Sequence, residues 1–143
     1  MGLFKRKQKQ PRSVWDELQA NPVFQQQKAV FEALSLLCED GCDADEIPGA
    51  EGEFGLDVGN PIPTKTPMGS ISYLARLRAP DGAKVAYQRM GSTFSSTSSQ
   101  PVDIYAISHP DGRGLATLYV SAYHRRNSNK APRGFTLLKT IVG

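Results

Sequence analysis

Few residues in this chain could do chemistry, and their spacing decides most of what that chemistry would be. Two cysteines frame Cys38-Glu39-Asp40-Gly41-Cys42, with three residues between the thiols. A thioredoxin-type pair has two, and a zinc set needs further ligands at finger spacing. The two histidines, His109 and His124, have fourteen residues between them, not the three to five of a finger. Cys38 also falls on the apolar stripe of a helix, the place of a small buried hydrophobe. These residues point to no metal site and no cofactor.

The acidic run resembles a calcium loop only in outline. A window from Asp40 to Glu51 starts and ends correctly for an EF-hand. However, Cys42 and Ala44 replace oxygen ligands, and Asp45 stands where glycine makes the turn. Nucleophilic catalysis finds as little support. No Gly-x-Ser-x-Gly elbow occurs, and serines gather in a low-complexity loop expected over 92–99. Pro110-Asp111-Gly112-Arg113-Gly114 has glycines but turns a hairpin instead of opening a helix, so it makes no phosphate cradle. His109 precedes the proline of that turn. His124 ends a strand, after Tyr123 and before Arg125 and Arg126. An enzyme would have to be built around His124 in a pocket with Tyr123, which is the least favoured of three readings.

The basic clusters carry more. Arg125, Arg126, Lys130 and Arg133 fall in one loop-like stretch, and Arg76, Arg78 and Arg89 fall on expected neighbouring strands. Brought together, these seven would form an anion-binding surface. The competing expectation is that they pair with the chain's own acids. No aromatic RNP sequence, helix-turn-helix pair or KH loop accompanies them.

Charge is strongly segregated along the chain. Residues 1–12 hold five bases and no acid, residues 13–57 hold eleven acids and one base, and residues 58–143 hold eleven bases and three acids. A formal net charge of +3 hides this sorting, which bears on partners rather than fold.

The elements that must position these residues follow from periodicity and turn chemistry. Residues 1–12 read as a disordered basic arm, and Leu3 and Phe4 with the cations of residues 3–9 allow at most a weak membrane-surface contact. Ser13 and Asp16 suggest a short helix over 13–20. Asn21-Pro22 then starts an amphipathic helix over about 22–39, with Val23, Val30, Phe31, Leu34, Leu37 and Cys38 on one stripe and Gly41 as its C′ stop. Residues 39–57, with eight acids, four glycines and no base, read as an acidic loop. Ile71, Tyr73, Ala75 and Leu77 alternate as a strand from Gly69. Pro80-Asp81-Gly82 turns it into a second strand over Lys84–Met90. Further strands are expected over about 102–108, 115–124 and 135–142.

The fold class expected is therefore α+β. One domain over 13–143 would pack its N-terminal helix on an antiparallel meander of about five strands spanning about 69–142. No run of residues approaches the ~20 apolar residues of a membrane span, and no signal-peptide h-region follows Met1, so the expected compartment is the cytoplasm. The functional expectation is a small non-enzymatic protein that contacts another protein through charged surfaces. Nucleic-acid binding through the basic face is the alternative. The residues indicate no oligomeric state.

Overall fold

The computed structural model describes residues 22–139. The arm expected at 1–12, the short helix at 13–20 and the end of the strand at 135–142 lie outside them. The chain divides into two compact units between Ala33 and Leu34. The first contributes residues 22–33, all within helix α1 (Pro22–Cys38), and the second holds every other described element.

The second unit contains β1 (Ile62–Pro63), α2 (Thr66–Arg76), β2 (Leu77–Arg78), β3 (Ala86–Ser95), β4 (Ser98–Ser108), β5 (Gly114–Ser121) and β6 (Thr136–Leu137). A four-stranded sheet runs in the order β1-β5-β4-β3, and β2 pairs with β6 in a separate antiparallel ribbon. The α+β expectation holds, and the β3-β4-β5 part is an antiparallel meander. The five-strand meander does not hold. The short β1 adds to the sheet in parallel, with Ile62 opposite Val120.

The largest correction concerns residues 69–76, which belong to a helix rather than a strand, with Leu77 following directly in β2. Their sequence carries two periods at once. Ile71, Tyr73, Ala75 and Leu77 alternate, yet Ser70, Tyr73, Leu74 and Leu77 repeat at i, i+3, i+4 and i+7, and it is this second set that is buried. Pro67 sits in the first turn, where its missing N–H costs nothing. Tyr73, Leu74 and Leu77 share one core with Tyr105 and Ile107 of β4, Leu118 and Val120 of β5, and Ile62. Each such side chain contributes about 1.5–3 kcal/mol by leaving water. The helix packed on the sheet is therefore α2. At the end of α1 within the second unit only Cys38 is buried, while Leu36 and Leu37 are exposed, so the apolar stripe there is not a core stripe.

The second strand lies at Ala86–Ser95 rather than 84–90, and the serine-rich stretch is not a loop. Residues 92–95 and 98–99 continue the β3–β4 hairpin, with Ser95 opposite Ser98. The register shift at Met90 leaves it as the extra residue of a bulge, whereas at Phe94 the excess lies on β4, where Ser99, Gln100 and Pro101 stand against that one residue. Both side chains stand in solvent, 61% and 83% exposed.

The two Pro-Asp-Gly turns are built alike. In each, a backbone bond links the first residue to the glycine (Gly82 to Ala79, Gly112 to His109), and the glycine takes φ near +90° (+90° and +95°). This is a type I turn closed by a left-handed residue. The aspartates accept the N–H two residues on, from Ala83 and Arg113. His109 then joins the turns, its Nε2 lying 2.8 Å from Asp81 Oδ2.

Candidate functional site

Residues 125–133 have no regular structure, yet both of their flanks and several interior atoms are tied down. Asn127 Oδ1 accepts the N–H of Lys65 (2.9 Å) and its Nδ2 donates to Gly69 O (3.0 Å), so one side chain binds the start of α2. A Cβ on Gly69 would collide with that carboxamide. Tyr73 donates its hydroxyl to Lys130 O (2.5 Å), and burial pushes the phenol's pKa up, keeping it a donor. Ser128, fully buried, donates to Asp45 O (2.7 Å) while its N–H donates to Pro63 O.

Between this loop and α2 lies an open groove of about 520 Å³. Lys65, Gly69, Ser72 and Arg76 line one wall at helical spacing, together with Met68, and Arg125, Arg126, Asn127 and Asn129 line the other. Four cations face it and none of the lining residues is acidic. Among the described residues, Lys65, Arg76 and Arg125 make no ion pair within 4.0 Å; Arg76 Nε donates to the carbonyl of Leu138 (2.7 Å).

The structure thus brings Arg76, Arg125 and Arg126 together and leaves the other four expected cations elsewhere. Arg78 turns back on the end of α2 and donates to Ala75 O and Leu77 O. Arg89 pairs with Asp103 across β3–β4 (2.9 Å). Lys130 pairs with Glu46 (2.7 Å) and lies 5.1 Å from the centre of the Phe54 ring, while Arg133 pairs with Glu53 (3.2 Å). Lys65 was missed because the strand reading hid the face that residues 65, 69, 72 and 76 share. The signal is Pro67, a residue suited to the first turn of a helix.

The acidic segment 39–57 folds onto the basic loop. Arg126 donates from Nε to Asp43 Oδ1 and from a terminal nitrogen to Asp45 Oδ1, both at 2.7 Å. The Arg126 guanidinium, with the N–H of Asn129, holds Asp45 below the usual carboxylate range, and Lys130 with Asn60 does the same for Glu46. The segment also buries Ile47 and Phe54, so it is part of the core rather than a purely solvated loop.

His124 and Tyr123 do line a cavity, of about 170 Å³, with Asp40, Gly41 and the hairpin residues Thr97–Gln100. His124 is 8% exposed as a residue, and both its ring nitrogens are engaged. Nδ1 accepts the N–H of Cys42 (3.0 Å) and Nε2 meets Ser121 Oγ (3.0 Å). A ring that accepts at Nδ1 is neutral, and burial lowers its pKa to match. Cys38 Sγ meets Ala122 O (3.4 Å) and Arg125 N–H donates to Cys42 O (3.0 Å). This histidine joins the Cys38–Cys42 turn to the end of β5, and neither nitrogen is open to a substrate. Gly41 is also not the left-handed stop expected of it. A Cβ there would strike Tyr123 O and His124 Cα.

Among the described residues no three of the His, Cys, Asp and Glu side chains are placed to hold a metal ion. None of the described helices is long and apolar enough to cross a membrane. No protein-family model, curated protein or solved structure matches the chain.

Proposed function

We propose that this chain is a non-enzymatic interaction protein that takes an acidic segment of a protein partner into the groove beside α2. The observation that carries the reading is the convergence of Lys65, Arg76, Arg125 and Arg126, from separate stretches of chain, on one groove without a lining acid. Tyr73, Asn127 and Ser128 hold its walls, so few groups need ordering on binding. Met68 and Ile71, 66% and 44% exposed on α2, add apolar surface of the kind that protein interfaces use beside their charges. Two free cysteines fit a reducing compartment, and the cytoplasm is the proposed setting.

The same four cations favour a second reading, in which a nucleic-acid backbone runs along the groove. It ranks lower because no aromatic side chain lines the groove to stack a base. The test is fluorescence anisotropy with a labelled glutamate-rich peptide and with labelled single- and double-stranded DNA, across a salt series. Peptide binding that is lost in a Lys65→Gln/Arg76→Gln/Arg125→Gln variant supports the proposal. DNA binding that is tighter and steeply salt-dependent would replace it with the second reading, and no binding of either would overturn both.

A further inference from the structure

Arg126 is held by two carboxylates that differ in how firmly they are themselves held. Asp45 is built into the fold: its Oδ1 also accepts the N–H of Asn129 (2.8 Å), and its backbone carbonyl accepts Ser128 Oγ (2.7 Å). Asp43 is not. Among the described residues its carboxylate meets only Arg126, and its side chain is 62% exposed. We infer that Asp43 is an internal stand-in for a carboxylate of the partner, and that an acidic segment enters the groove by displacing Asp43 from Arg126. This rests on the groove being the binding site.

The chemistry of the exchange is carboxylate for carboxylate. The incoming group takes the Nε edge of Arg126 that Asp43 leaves, while Asp45 keeps the terminal nitrogen and holds the guanidinium in place. Exposed pairs of this sort are weak, so the tie can be broken. A tethered carboxylate nevertheless competes at an effective concentration in the millimolar range, which a single free acid seldom exceeds. A partner with several neighbouring carboxylates also engages Arg125, Lys65 and Arg76, and that multivalency lets it win. The device selects acidic runs over isolated acids.

The experiment measures the affinity of a labelled glutamate-rich peptide for the full chain and for Asp43→Asn, each with and without Arg126→Gln. Asp40→Asn removes the same charge nearby without touching Arg126, and circular dichroism confirms that each variant is folded. The inference predicts that Asp43→Asn binds about two- to fivefold more tightly than the full chain, the range set by an exposed pair. It predicts a smaller gain for Asp40→Asn, and none from Asp43→Asn once Arg126 is glutamine. Unchanged affinity in Asp43→Asn, with the peptide still lost on removing the groove cations, would overturn the inference and leave the groove standing. A gain that survives Arg126→Gln would overturn it as a general charge effect. Failure of every form to bind would overturn the groove as well.

Discussion

Asn127 fills the space that a side chain on Gly69 would need, and donates its Nδ2 to the carbonyl of that same glycine at 3.0 Å. The contact fixes the distance between α2 and the basic loop, and so the width of the groove. Gly69→Ala should therefore move Asn127 and break its bond to the N–H of Lys65. The alanine gains about 1 kcal/mol in helix propensity. It loses two hydrogen bonds of about 0.5–1.5 kcal/mol each and adds a clash. The losses win. Denaturant unfolding should show a net cost of about 1 kcal/mol, and peptide affinity should fall with it.

Gly41 meets backbone rather than a side-chain tip, so nothing there can give way. A methyl group at this position would strike Tyr123 O and His124 Cα. Gly41→Ala should separate the Cys38–Cys42 turn from the end of β5 and cost about 2–4 kcal/mol, in the range of severe overpacking with lost buried bonds. Thermal unfolding would check this. A change in Tm of only a degree or two would contradict the packing described.

His124 gives the fold a pH dependence with a definite sign. Burial lowers its pKa in the folded state, so below the ordinary value of 6.5 the unfolded chain binds a proton that the folded chain does not. Stability is therefore unaffected well above that value and falls as pH drops through it, by at most about 1.4 kcal/mol per pH unit. His124→Asn can still accept from Cys42 N–H but cannot titrate. Unfolding midpoints at pH 7.5, 6.5 and 5.5 should show the full chain losing stability on acidification relative to this variant.

Thr66 has φ of +62°, a left-handed backbone that a β-branched residue adopts at a cost, and it stands next to Lys65 at the groove. Relief of about 1–2 kcal/mol should exceed the roughly 0.5–1 kcal/mol that glycine loses in chain entropy. Thr66→Gly should then raise stability modestly, by about 0.5–1 kcal/mol in denaturant unfolding.

Much of the fold was legible wherever one local rule acted alone. The helix expected over about 22–39 is found at Pro22–Cys38, and each Pro-Asp-Gly makes the turn its chemistry demands. Residues 69–76 depart from the strand expected because two periods coexist there, and only the core decides between them. The serine-rich stretch resembled a loop by composition, yet cross-strand pairing made it a hairpin. At the site, the Arg125–Arg126 cluster was visible, as was the prospect that bases would meet the acidic segment. Which pairs form was not visible, since Asp43 and Asp45 lie more than eighty positions from Arg126. Pairing at that separation follows from tertiary packing and leaves no local trace.

The groove beside α2 is the proposed meeting place of this protein and an acidic partner. A nuclear magnetic resonance titration of the isotope-labelled chain with a glutamate-rich peptide would locate the contact, because amide shifts report the site residue by residue. Changes should concentrate at Lys65, Gly69, Ser72 and residues 125–129, with Asp43 moving as its carboxylate is released. Changes absent from these residues, or gathered instead at the Tyr123–His124 cavity or along β3, would contradict the proposal.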